Sequence, residues 1–144
     1  MFSQSVKNVM ERKNLLTAPP EMSVREAAKQ MAKRTVGAVL VVDGQRLVGI
    51  FTERDAVLRV LANDRDPGTT RLAEVMTPAP ITVGPEKSFG FALLLMHENG
   101  FRHVPVIEGG KLVGIVSARN ALDPDLEEFV SEAERREHIL RERT

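Results

Sequence analysis

The sequence predicts an α/β fold (α+β in the way its parts are arranged): two β-α-β-β-α units packed sheet to sheet, followed by a charged C-terminal helix. Three observations carry this expectation. Thr17–Ala56 is echoed without a gap by Thr82–Ala121. Within each copy, a helix-start signal leads into helical apolar spacing and then into two β-branched runs around a glycine turn. After Ala121 the composition shifts abruptly to Glu and Arg.

Identities in the repeat include Thr17/Thr82, Pro20/Pro85, Glu21/Glu86, Ser23/Ser88, Ala27/Ala92, Met31/Met96 and Gly44/Gly109. The repeat ends in GIFTERDA (Gly49–Ala56) and GIVSARNA (Gly114–Ala121), where Glu53 stands against Ala118 and Asp55 against Asn120. Upstream, Val9-Met10 echoes Val75-Met76 after a slip of one residue. Self-similarity on this scale dictates architecture.

The elements follow in order. A strand at Leu16-Thr17 precedes Ser23, an N-cap with Glu26 three residues on, which forms a capping box. A helix over Val24–Arg34 follows, with Val24, Ala27, Ala28 and Met31 at helical spacing. GAVLVVDGQRLVGIFT reads as a hairpin around Asp43-Gly44, because the turn needs positive φ. Asp55 is expected to open a second helix carrying Val57, Leu58, Val60 and Leu61. In copy two, Ser88 caps a helix over Phe89–Asn99, Gly100 stops it, and RHVPVIEGGKLVGIVS is the hairpin. The units span 6–62 and 72–122, with NDRDPGTTR (63–71) as a polar linker. Asp123-Pro124 starts a helix over 123–144, with Leu126, Phe129, Val130, Ala133 and Leu140 on one stripe. FGFALLLM, Phe89–Met96, is apolar almost all round. Either a second subunit covers it or it is a deeply buried core helix.

Composition narrows the function. At 144 residues the chain can bury a real core, roughly 65–70% of its unfolded surface. Twenty basic and twenty acidic residues balance, so bulk attraction to nucleic acid or anionic membrane is not expected. With no Trp or Tyr, platforms for stacking single-stranded nucleic acid are poorly supplied. With no Cys, disulfides, thiolate nucleophiles and Cys-ligated zinc are excluded, and three scattered histidines do not make a metal site. His97 and His138 read as structural or solvated. Neither an apolar leader nor a run of about 18 apolar residues is present, which points to a cytoplasmic, non-membrane protein. Neither a Ser-His-Asp order nor an evident pair of carboxylates suggests an enzyme.

The repeated phrase carries chemistry. Thr52 and Ser117 sit at strand ends, and Asp55 and Asn120 lie three residues on, at helix starts. Hydroxyls and N–H groups at such a place suit an anion, a carboxylate there can accept ribose hydroxyls, and Arg54 and Arg119 can pair with phosphate. The same four residues are also good helix caps, so local chemistry leaves both readings open.

The pattern from Val6 to Leu122 resembles a tandem pair of CBS domains, a Bateman module. The resemblance rests on Val75-Met76-Thr77, on the lead from Thr17-Ala18-Pro19-Pro20 to Ser23, and on GFRHVPVIEGGKLVGIVS. It implies two copies about a pseudo-twofold axis, frequent dimerisation into a disc, and two clefts between the copies that take AMP, ADP or ATP. S-adenosylmethionine or NAD is a less usual guest. It implies a regulatory module with no obligatory cofactor, acting on an unidentified partner protein; a ligand-free scaffold homodimer or a nucleic-acid binder is the alternative. One cleft would use Thr52, Arg54 and Asp55, and the other Ser117, Arg119 and Asn120. Val36, Gly37 and Ala38 in copy one, and Arg102, His103 and Val104 in copy two, would face the clefts, with Thr17-Ala18 and Ile81-Thr82 closing the adenine pocket. His103 would either meet phosphate or be a partly buried, hydrogen-bonded histidine. Asn120 departs from the family's Asp, and this ranks the Asp55 cleft above the Asn120 cleft.

Overall fold

The computed structural model describes residues 2–121, so the helix expected over 123–144 lies outside the described residues, as does His138. Helix caps and turns form where expected, but the capping box at Ser23 is only half made, since the Glu26 carboxylate accepts from Gln30 Nε2 at 3.3 Å instead of from the Ser23 N–H. Ser23 Oγ accepts the Glu26 N–H at 3.1 Å and starts α1 (Val24–Arg34). Ser88 Oγ accepts the Phe91 N–H at 3.1 Å and starts α4 (Phe89–Asn99), which Gly100 ends at φ 73°. The first strand, β1 (Thr17–Ala18), lies one residue later than expected. In the hairpin of β2 (Ala38–Asp43) and β3 (Arg46–Thr52), Asp43 faces Arg46, so Gly44 and Gln45 form the turn. Its counterpart joins β5 (His103–Glu108) to β6 (Lys111–Ser117) through Gly109-Gly110, both at positive φ.

The second helix begins earlier than Asp55. Thr52 is its N-cap and Asp55 sits at N3, the two forming a reciprocal capping box at the head of α2 (Glu53–Asp55). The helix then widens to π geometry over Ala56–Leu61, with Ala62 N–H donating five residues back to Val57 O at 2.9 Å. In copy two the same phrase enters a 3₁₀ turn over Ala118–Ala121, where the described residues end.

The two copies are cross-linked by their lead segments. After the linker the chain forms α3 (Leu72–Val75) and β4 (Thr77–Pro78), and β4 pairs with β3 of copy one. Copy one's sheet therefore runs β1-β2-β3-β4, with its last strand supplied by copy two. The reverse holds for the start of the chain, where Glu11 bridges Ile115 on β6 and Val6 opens a short 3₁₀ turn. Backbone bonds repeat the exchange. Leu72 N–H donates to Met22 O and Val24 N–H to Thr70 O; Val6 N–H donates to Lys87 O and Phe89 N–H to Gln4 O.

The cores follow the same crossing. Leu72 and Val75 complete a core with Val24, Ala27, Met31, Val39, Val41, Phe51 and Val60 of copy one. Val6 completes the core of copy two with Phe89, Ala92, Met96, Val104, Val106 and Val116. Two glycines of the repeated phrase make room for the crossing. The Met76 side chain lies against Gly49, and a Cβ on Gly114 would stand 2.6 Å from Met10 Sδ and 2.9 Å from Glu11 O. The sheets meet at Ala38, Leu40, Leu47 and Ile50 on one side and Leu112 and Ile115 on the other. Among the described residues, no helix is long and apolar enough to cross a membrane.

Leu72 is fully buried in a core whose other residues come mostly from copy one. Leu72→Ala should cost about 2–5 kcal/mol, as truncation does in any well-packed core. Urea denaturation should show it as one shifted transition with unchanged slope; a loss below about 1 kcal/mol would contradict the exchanged core.

Candidate functional site

Crossing the lead segments leaves a cleft on each side of the sheet-to-sheet contact. The first, about 910 Å³, is walled by the β3–α2 corner of copy one, by Thr77, Ala79, Pro80 and Ile81 of the crossing segment, and by the α4–β5 turn from Asn99 to His103. The second, about 650 Å³, is walled by the β6 corner of copy two, by Glu11 and Asn14–Leu16, and by the α1–β2 turn from Thr35 to Ala38.

Thr52, Arg54, Asp55 and Ile81 come together in the first cleft, with Gly37, Arg102 and His103. Ser117, Arg119 and Asn120 come together in the second, with Val36, Gly37 and Ala38 and again Arg102 and His103. Gly37, Arg102 and His103 thus belong to both clefts, whereas Val36 and Ala38 serve the second alone. Four expected residues line neither cleft. Ala18 and Val104 are buried in the two cores, pointing inward because neighbouring strand residues alternate. Thr17 and Thr82 are exposed outside both clefts. The positions that do close the clefts lie one or two residues earlier: Leu15 and Leu16 in one, Pro80 and Ile81 in the other.

The two corners differ in what they offer a ligand. Asp55 Oδ2 accepts the Thr52 N–H at 2.9 Å and the Thr52 hydroxyl at 3.2 Å. Its other oxygen, Oδ1, faces Arg59 Nε at 3.5 Å and keeps acceptor capacity toward the cleft. Asn120 has one oxygen, which already accepts the Ser117 N–H at 2.8 Å and the Ser117 hydroxyl at 3.3 Å. What remains at Asn120 is an NH₂ donor. Asp55 can therefore receive a ligand hydroxyl, whereas the group left free on Asn120 can only give to one.

The cations also differ. Arg54 Nη1 donates to Gly100 O at 3.0 Å and so pins the copy-two turn. Arg59 Nη1 donates to Val75 O and Met76 O, tying the π-widened helix to the crossing segment. His103 is half-buried on β5, opposite Ser117. Burial pushes its imidazole below the ordinary 6.5; Glu53 opposes that shift and Arg102 adds to it. Sequence reasoning missed Glu53, which lines both clefts, and Arg59. The signal for Glu53 was present as the single non-conservative position in the repeated phrase.

The CBS domain family model matches residues 6–62 and 72–125, and the chain belongs to that family. It is 37% identical over 113 residues to the CBS domain-containing protein YhcV of Bacillus subtilis, covering 78% of this chain and 79% of that protein. Its structure is similar to that of the CBS domain protein PAE2072 from Pyrobaculum aerophilum complexed with AMP: TM-score 0.74, 28% identity, 81% of this chain and 89% of that one. It is similar also to the CBS domain pair of protein MJ0100 in complex with 5′-methylthioadenosine and S-adenosyl-L-methionine: TM-score 0.77, 26% identity, 87% and 98% covered.

A lowered His103 pKa has a signed consequence. Between the lowered folded value and 6.5, the unfolded chain holds the proton and the folded chain does not. Stability therefore rises with pH across that window and is lost as pH falls below 6.5. Thermal midpoints measured from about pH 7.5 down to about pH 5 should fall less steeply in His103→Gln than in wild type. Equal slopes would assign the dependence to other groups.

Proposed function

We propose that this chain is a regulatory module that senses an adenine nucleotide of the AMP, ADP or ATP type and passes a shape change to a partner protein, with no catalysis of its own. The observation that carries the reading is Oδ1 of Asp55, which faces Arg59 Nε at 3.5 Å and keeps a further acceptor lone pair, set in a cleft that also holds Arg54 and Arg102. A carboxylate acceptor beside guanidinium groups suits a ribose that bears a phosphate. Relatives support the class of ligand, since one is complexed with AMP and another with S-adenosyl-L-methionine and 5′-methylthioadenosine. On this reading the Asp55 cleft is the primary ribose site, and the Asn120 cleft, where Asn120 has only a donor left, is the weaker one.

The module acts as a homodimer. Val57, Leu58 and Leu61 on the π-widened helix are exposed, as are Phe91 and Leu94 on α4. α4 is apolar on the outer positions where its counterpart α1 carries Glu26 and Lys29. A second copy is the cover this reading assigns to that face.

Two measurements test the proposal. In isothermal titration, Asp55→Ala should weaken AMP binding at least tenfold, and Asn120→Ala by less. Equal AMP affinity in Asp55→Ala and wild type would remove Asp55 from the site, and no thermal shift with millimolar AMP, ADP, ATP, S-adenosylmethionine or NAD would end the sensor reading. In sedimentation, wild type should run as a dimer and Leu94→Glu should shift it toward monomer; a monomeric wild type refutes the dimer.

A further inference from the structure

The clefts meet at one partition, and that partition is chemically lopsided. Gly37 and Arg102 are equivalent positions in the repeat: Glu53 N–H donates to Gly37 O at 3.1 Å, and Ala118 N–H donates to Arg102 O at 3.0 Å. Copy one puts its long side chain on Glu53, above a glycine. Copy two puts its long side chain on Arg102, beside an alanine. The Glu53 carboxylate fills the space over Gly37: a Cβ there would stand 2.6 Å from Glu53 Oε1 and 3.6 Å from His103 Nε2. Glu53, Arg102 and His103 all line both clefts.

Arg102 also differs from its neighbours in the first cleft. Arg54 and Arg59 are held by backbone carbonyls, and Arg59 by Asp55 as well. The Arg102 guanidinium is exposed and has no hydrogen bond or ion pair among the described residues. Among the described residues it is the one arginine or lysine that lines both clefts, and it can be drawn on without breaking an existing contact.

We infer that Arg102 is an anion receptor shared by the two clefts, so that a phosphate-bearing ligand in one cleft weakens the binding of a second such ligand in the other. The inference rests on the nucleotide reading above. One guanidinium can pair bidentately with one phosphate group, whose roughly −1.5 to −2 charge more than offsets the single positive charge. A second anionic ligand then meets a neutralised Arg102, the charge of the first ligand, and the Glu53 carboxylate that faces both sides. Glu53 and Arg102 are exposed, so these terms act as they do between charges near a protein surface, at an effective dielectric below that of water and screened by salt. A neutral nucleoside of the same shape makes no demand on Arg102 and meets no such penalty.

The test is isothermal titration of the full chain with AMP and with adenosine, at low and at high salt. In wild type, the ratio between the two dissociation constants should be larger for AMP than for adenosine by on the order of tenfold. Arg102→Ala should bring the AMP ratio down to the adenosine ratio, Glu53→Gln should narrow it, and high salt should narrow it too. Equal ratios for AMP and adenosine in wild type, or an AMP ratio unchanged by Arg102→Ala, overturn the coupling and leave the nucleotide reading standing. AMP and adenosine both confined to one cleft also overturn it. If neither ligand binds, the nucleotide reading fails and this inference falls with it.

Discussion

Two backbone hydrogen bonds tie the molecule together: Leu72 N–H to Met22 O at 2.9 Å, and Val6 N–H to Lys87 O at 2.7 Å. Each fastens the lead segment of one copy onto the other copy. The apolar residues that follow, Leu72 and Val75 in one case and Val6 in the other, then complete a core that is not their own. Burying a backbone N–H requires a partner, and burying a leucine rewards the arrangement; the crossing satisfies both at once. The sheet edge capped by β4, the packing of Met10 and Met76 on glycines, and the placing of Thr77–Ile81 along a cleft all depend on it.

Symmetry supplies the frame, and departures from symmetry supply the chemistry. The backbone contacts at Glu53 and Ala118 are equivalent, as are the strand pairings that set Ala38 opposite Thr52 and His103 opposite Ser117. On that common frame, three exchanges make the clefts unlike: Asp55 for Asn120, Glu53 for Ala118, and Gly37 for Arg102. The first changes an acceptor into a donor. The other two place opposite charges on one partition instead of repeating the same charge twice, which would have set like charges face to face.

Much of this was legible in the sequence because the signals are local. Ser23 and Ser88 announce their helices through caps, and Gly100, Gly109 and Gly110 mark places where the chain must turn with positive φ. The paired corner residues were legible through the repeat. What escaped was long-range. The destination of a crossing segment cannot be read from its own composition, so Val75-Met76 was noticed as an echo without its partner glycine. Thr52 and Asp55 are both good caps by residue type, and only the geometry sets Thr52 at the cap and Asp55 at N3. The resemblance implies Thr17, Ala18, Thr82 and Val104 at the clefts, but Ala18 and Val104 turn into the cores while Thr17 and Thr82 lie exposed outside both clefts.

The crossing also bears on how such a chain can come to be. In this chain the lead of each copy lies in the other copy's core and against the other copy's sheet, so a lone copy with the same arrangement would lack the last residues of its core. Two separate single-copy chains could satisfy each other by trading leads, and a fused chain does the same within one molecule. Fusion makes the trade independent of concentration and, once the halves share a chain, lets each half change separately. A corner that had to serve both sides of a symmetric pair can then be an aspartate on one side and an asparagine on the other.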